Sequence, residues 1–292
     1  MKARKESWAL TLPLLILLIS SSSLRAVGIG IQPNRIDTII PYGETETIQV
    51  TVTNPGDDPL HVDVSLMGLE MAKDGSLLWL GSDGTDATGN IYPYANIRPH
   101  VTFEPAAFTV APHSEATLLA RVRAPDTYQE EDMAGCVGAL WFDIVDASAD
   151  SDGASPFNTV FRLIAFVLIQ FEGGQRRAAE LTSLPLYQDE QMDLHLPFLF
   201  SNQGNAHVSL TGQVVIREVE SGEIVDSVGF SEGTALPQRP REYQAVWRSS
   251  SLRQGKFVAE FTVTYDTNAP DLTVAIPIEV TAGGFVQEAE QD

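Results

Sequence analysis

Residues 159–171, TVFRLIAFVLIQF, are the longest apolar run of the chain after the one at its N-terminus, and how they are read decides the fold. Taken with a period of two, one face carries Phe161, Leu163, Ala165, Val167, Ile169 and Phe171. The other carries Val160, Arg162, Ile164, Phe166, Leu168 and Gln170. The stretch between Arg162 and Gln170 falls well short of the roughly 20 apolar residues that a membrane-spanning helix needs. A buried helix is the competing assignment. The β-branched and aromatic content, the loop DASADSDGASP before the run and Gly173-Gly174 after it favour a long strand entered and left by turns. This strand is expected to close one domain and lead into the next, with a boundary near residues 173–179. The face from Phe161 to Phe171 has no polar residue and is the expected core face. Ile164, Phe166 and Leu168 then need another cover: either burial under other parts of the chain, or a partner that adds a strand along an open edge.

Outward from this run, alternation recurs. TETIQVTVTN sets Ile48, Val50 and Val52 against Thr and Gln, and LHVDVSL alternates through Leu60, Val62, Val64 and Leu66, with the turn signal Asn54-Pro-Gly-Asp-Asp-Pro59 between them. MDLHLPFLFSNQGNAHVSLTGQVVI repeats that plan, so Asn54-Pro-Gly56 corresponds to Asn202-Gln-Gly204. The echo continues where TALPQRPREYQAVW matches TVAPHSEATLLARV, each a Pro-marked turn leading into an alternating strand. Two copies of one plan, strands every 8 to 12 or so residues and no convincing amphipathic helix predict an all-β chain of two tandem sandwiches. The first is expected over 27–174, with an elaborated insertion at about 68–100 that is rich in Gly and Asp. The second is expected over 177–282, and 283–292 reads as a disordered acidic tail.

Lys2, Arg4 and Lys5, the apolar run 8–19 and the small residues that follow have the pattern of a signal peptide cleaved near Ala26. The mature protein is therefore expected in the periplasm or outside the cell, without membrane insertion. Removing residues 1–26 takes away four bases and one acid, leaving 14 Lys and Arg against 38 Asp and Glu, a net charge near −24. Such a charge argues against nucleic acid and anionic lipid as partners. Cys136, the one cysteine, sits in the apolar context AGCVGALWF and reads as a buried small hydrophobe.

On IQPNRIDTIIPYGETETIQVTVTN, on TFEPAAFTVAPHSEATLLARV and on the long strand closing the first domain, the chain resembles the periplasmic pilus chaperones and related envelope proteins. The resemblance implies two immunoglobulin-like domains, a protein partner such as a pilus or surface subunit, and a cleft in which two bases hold the subunit's terminal carboxylate. The matching bases would be Arg35 and Arg162. Counting back from the 43–54 segment puts Thr38 at the expected place on the first strand.

No nucleophile elbow, HExxH, P-loop or Cys/His ligand cluster is present, and the five histidines lack metal-ligand spacing. No catalytic residue, metal or cofactor is expected. Asp83 and Asp86, and Asp146, Asp150 and Asp152, have the Asp/Gly density of calcium loops without the spacing of an EF-hand. Two function classes follow. One is a chaperone-like envelope module binding through Arg35, Arg162, Ile164, Phe166 and Leu168; the other is a structural adhesin or accessory domain, with a hydrolase as a remote third.

Overall fold

The computed structural model describes residues 28–129, 132–146, 160–230, 232–266 and 269–288. The expected signal peptide, the acidic loop 147–159 and the last four residues lie outside them. The strands of the first unit are β1 (Gly30–Gln32), β2 (Arg35–Pro41), β3 (Thr45–Asn54), β4 (Leu60–Met71), β5 (Leu77–Leu80), β6 (Asp83–Thr85), β7 (Ile91–Asn96), β8 (Val101–Glu104), β9 (Ala107–Val110), β10 (Ser114–Arg123), β11 (Gly135–Asp146) and β12 (Val160–Glu172). Those of the second are β13 (Ala179–Ser183), β14 (Tyr187–Gln188), β15 (Leu194–Asn202), β16 (Val208–Glu218), β17 (Ile224–Gly229), β18 (Gly233–Ala235), β19 (Arg239–Trp247), β20 (Gly255–Thr264), β21 (Leu272–Val280) and β22 (Val286–Glu288).

Each unit is a sandwich of two sheets, as the sequence predicts. In the first, β1-β3-β10-β8 faces β2-β12-β11-β4-β5, with β9 also on β4. Pairing is antiparallel except between β12 and β2. Alternation builds the core between the sheets: Val50 and Val52 of β3 and Leu118, Ala120 and Val122 of β10 point inward, while Thr47, Gln49 and Thr117 point to solvent. From β12 the odd-numbered residues Ala165, Val167, Ile169 and Phe171 join this core, each large side chain contributing about 1.5–3 kcal/mol on burial. In the second unit β13-β15-β14, with β19 on β15, packs against β17-β16-β20-β21-β22, with β18 on β16. Its core centres on Phe198, Phe200, Trp247, Phe257 and Phe261.

The sequence echo has a structural counterpart. Asn54 and Asn202 are both buried, and each folds its side chain over its own turn: Oδ1 accepts from the Gly56 or Gly204 N–H at 3.0 and 2.9 Å. Each Nδ2 also donates across to the Pro-marked turn, to Val110 O at 3.1 Å in the first unit and Ala235 O at 3.1 Å in the second. Those turns share a left-handed residue, His113 (φ 50°) and Gln238 (φ 57°), each directly after its proline.

One expectation is corrected. Of the stretch read as an acidic tail, Val286–Glu288 is β22 and pairs with Ile278, Glu279 and Val280 of β21. The hairpin turn works because Gly284 takes φ +79° while the Thr281 N–H reaches Phe285 O at 2.9 Å.

Candidate functional site

The two edges of β12 differ. Toward β11 it is paired from Val160 to Gln170, and toward β2 only from Phe166 to Glu172. The Phe166 N–H donates to Asn34 O at 2.9 Å on the β2 side, and the Phe171 N–H donates to Ala134 O at 2.9 Å on the other. Even-numbered residues therefore direct their backbone groups to the β2 edge. Among the described residues no strand hydrogen-bonds to that edge over 160–165, although β1 lies close to β12, so the N–H and C=O of Val160, Arg162 and Ile164 have no sheet partner on that side. Val160 is 55% and Phe161 42% exposed, and Leu163 and Ile164 are half-buried.

Of the two covers considered for Ile164, Phe166 and Leu168, the chain itself supplies most of one. Leu168 is buried in a small cluster with Leu69, Leu80, Tyr94, Ala95 and Val137, closed by Leu236 of the second unit. Phe166 stacks on Trp79 of the insertion at 6.2 Å between ring centroids, and Trp79 meets Trp141 edge-on at 5.1 Å. The insertion folds back over the outer face of the sheet, which leaves the edge rather than the face of β12 accessible.

Arg35 and Arg162 are not brought together. Arg35 lies opposite Phe166 in register, four residues or about 13 Å of strand from Arg162. Each already has a carboxylate. Arg162 makes a two-pronged bond to Asp143 (2.5 and 2.9 Å) directly across on β11, with its guanidinium 4.0 Å from the Trp141 ring centroid. That bond holds the Asp143 carboxyl below its ordinary range. Arg35 binds Asp37 at 2.7 Å and reaches Thr234 of the second unit at 3.3 Å.

The polar groups in the cleft between the units are others, which the sequence reading missed. His207 Nε2 lies 3.5 Å from Asp37 Oδ1 and 3.3 Å from Gln170 Nε2. Arg177 bridges Gln170 Oε1 at 2.8 Å and Asp266 at 2.5 Å, and its buried Nη1, like the buried Nδ1 of His207, has no hydrogen-bond partner among the described residues. The cleft encloses about 300 Å³ beside Ile39, which is 60% exposed. Asp37 is pulled down to about 2, first by the hydrogen bond from His207 and then by Arg35 against the opposing effect of burial. The available signals were a lone Gln at the end of an apolar strand face and the Arg176-Arg177 pair in the linker.

The Asp/Gly loops resolve differently. Asp86 accepts from the Thr88 and Asn90 N–H groups at 2.8 and 2.9 Å and from both their side chains, so its carboxylate is saturated by its own turn and held well below its usual range. Asp83 caps Thr85 in the same way at 3.1 Å. Asp150 and Asp152, and the side chain of Asp146, lie outside the described residues.

No family model matches this sequence, and no curated protein matches it. Solved structures do. The chain is similar to pilus chaperones. It covers all of a chain in a chaperone–tip adhesin complex of CFA/I fimbriae at 9% identity, over 88% of its own length, with a TM-score of 0.48. It covers 98% of the YadV chaperone at 13% identity over 85% of its own length (TM-score 0.41). For a chain of the Salmonella enterica SafA pilin–SafB chaperone complex the figures are 96%, 10%, 86% and 0.41. At such identities the likeness is one of fold.

Proposed function

We propose that this chain is an exported, non-enzymatic protein of the cell envelope that binds a protein partner by β-strand addition along β12, in the manner of a chaperone holding a subunit. The observation that supports this reading is the half-paired edge. β2 covers seven residues of the thirteen in β12, and the six left over, 160–165, span about 20 Å with outward-facing backbone groups and exposed apolar side chains. Six residues is the length of an ordinary strand. Of the residues named from the sequence, Arg162 and Ile164 belong to this edge, Phe166 marks its end where β2 begins, Arg35 borders it, and Leu168 lies beneath the insertion.

Ile164→Pro tests the proposal. Proline at 164 removes an edge donor and places its ring where the guest strand would lie, while the bonds to β11 come from odd-numbered residues and stay intact. The mature wild-type protein should retain a partner from envelope extract, with amide-exchange protection confined to 160–165. The variant should lose the partner with a melting temperature within a few degrees of wild type. Undiminished retention by a folded Ile164→Pro protein would refute strand addition at this edge.

A further inference from the structure

The insertion 68–100 does more than cover a sheet face, because its far side grips the second unit. Leu236, buried to 2% exposure, leaves its own unit to complete the cluster of Leu69, Leu80, Tyr94, Ala95, Val137 and Leu168. Three residues further on, Arg239 Nε donates to Tyr94 Oη at 3.0 Å and to Glu70 Oε2 at 3.3 Å, and its guanidinium sits 5.0 Å from the Tyr92 ring centroid. Glu70 is itself only 5% exposed and accepts from the Tyr94 hydroxyl, so Arg239 supplies the cation that this buried carboxylate needs. The turn after β4 then reaches the outer edge of β19: the Glu242 N–H donates to Lys73 O at 2.7 Å, and Lys73 Nζ lies 3.8 Å from Glu242 Oε2. At the tip, Gly75 lies against the Arg241 guanidinium, which a Cβ at that position would approach to 3.1 Å. These contacts are apolar, ionic and backbone in kind, and all converge on residues 236–242, the Pro-marked turn of the second repeat and the strand it opens.

We propose that the insertion is an inter-unit clasp, which holds the second unit in one orientation to the first through Leu236, Arg239 and Glu242 and so keeps the cleft beside β12 in a fixed shape. The linker makes its own bonds at the junction, with the Arg176 N–H donating to Asn205 Oδ1 at 2.7 Å and Asn205 Nδ2 to Gly174 O at 3.0 Å, and the clasp adds a second, separate attachment, which restricts rotation about the first. The clasp stands independently of strand addition, and its test needs no partner.

The experiment places spin labels at exposed Thr117 in the first unit and Thr273 in the second and reads the distance distribution; native Cys136 is buried and stays unlabelled. Wild type should give one narrow distribution. Arg239→Gln should broaden it, and Arg239→Gln with Leu236→Ala should at least double its width while the β-type circular dichroism is kept. Arg253→Gln, a control remote from the clasp, should leave it narrow. A distribution as narrow as wild type in both clasp variants would overturn the proposal, as would equal broadening in the control. Should the double variant not fold, the single variant decides alone.

Discussion

Replacing Asn202 with alanine should cost the second unit about 3 kcal/mol, because three hydrogen bonds made by one buried side chain disappear together. Nδ2 donates to Ala206 O at 2.9 Å and to Ala235 O at 3.1 Å, and Oδ1 accepts from the Gly204 N–H at 2.9 Å. Asn202 is 2% exposed, so water does not readily take over these groups. At about 1 kcal/mol net for each bond the sum is about 3, and any carbonyl left dry adds to it. For a unit of this size that loss lowers the midpoint by roughly 12–24 °C. Differential scanning calorimetry reads it, with Trp247, buried in the second unit's core, reporting the same transition by fluorescence. Asn202→Asp should be worse than alanine, since it keeps the Gly204 bond but sets a buried negative charge against two carbonyl oxygens. A loss below about 1 kcal/mol for alanine, or an aspartate milder than alanine, would show that the Asn-x-Gly turn does not pin the repeat.

Asn54→Ala should do the same to the first unit, where Nδ2 also reaches Ala111 O at 3.2 Å; calorimetry of that unit's transition measures it. Phe166→Ala should cost about 1–2 kcal/mol by urea denaturation, less than the 3–5 of a fully buried phenylalanine, because the ring is only half-covered by Trp79. Asp37 has a folded pKa pulled down to about 2 from the ordinary 3.8, so its contribution is present above pH 3.8 and is lost as pH falls toward 2. With the carboxylate 39% exposed this amounts to under about 1 kcal/mol, and Asp37→Asn should flatten that part of the stability–pH curve between pH 4 and 2. Burial pushes the Cys136 thiol well above its usual range, so a thiol reagent should leave the native protein unlabelled and modify one thiol per chain once it is denatured.

What could be read from the sequence was what local pattern fixes. The two faces of β12 follow from a period of two, and the second copy of the plan follows from Asn-x-Gly and the Pro-marked turns, whose chemistry is contained within a few residues. The cover over Phe166 and Leu168 is of another kind: Trp79, Tyr94 and Leu236 arrive from positions some 70 to 90 residues away in either direction, and nothing around 166–168 encodes them. Register was equally hidden. Arg162 meets Asp143 and Arg35 meets Phe166 only once β11 and β2 have docked, so two bases expected to share a ligand turn out to be separated along the strand and individually neutralised. The Asp/Gly density around residue 86 corresponds in the structure to an Asx turn, with Asp86 accepting from the Thr88 and Asn90 N–H groups.

The state of Arg162 bears on what the open edge is for. Exposed edge strands in soluble proteins are commonly guarded by a charge that a second chain would have to bury, by a proline, or by a bulge. Residues 160–165 contain no proline, and their pairing to β11 runs in unbroken register from Val160 to Gln170. The one charge available as a guard, Arg162, is tied to Asp143 on the adjacent strand and laid over Trp141, inside the sheet's own outline rather than across its edge. A guest strand would therefore meet outward amides and carbonyls flanked by Val160, Phe161 and Ile164, with no unpaired cation to desolvate. For a purely structural module such an edge is a liability with no offsetting gain, whereas for a protein that receives a partner's strand it is the surface on which binding depends.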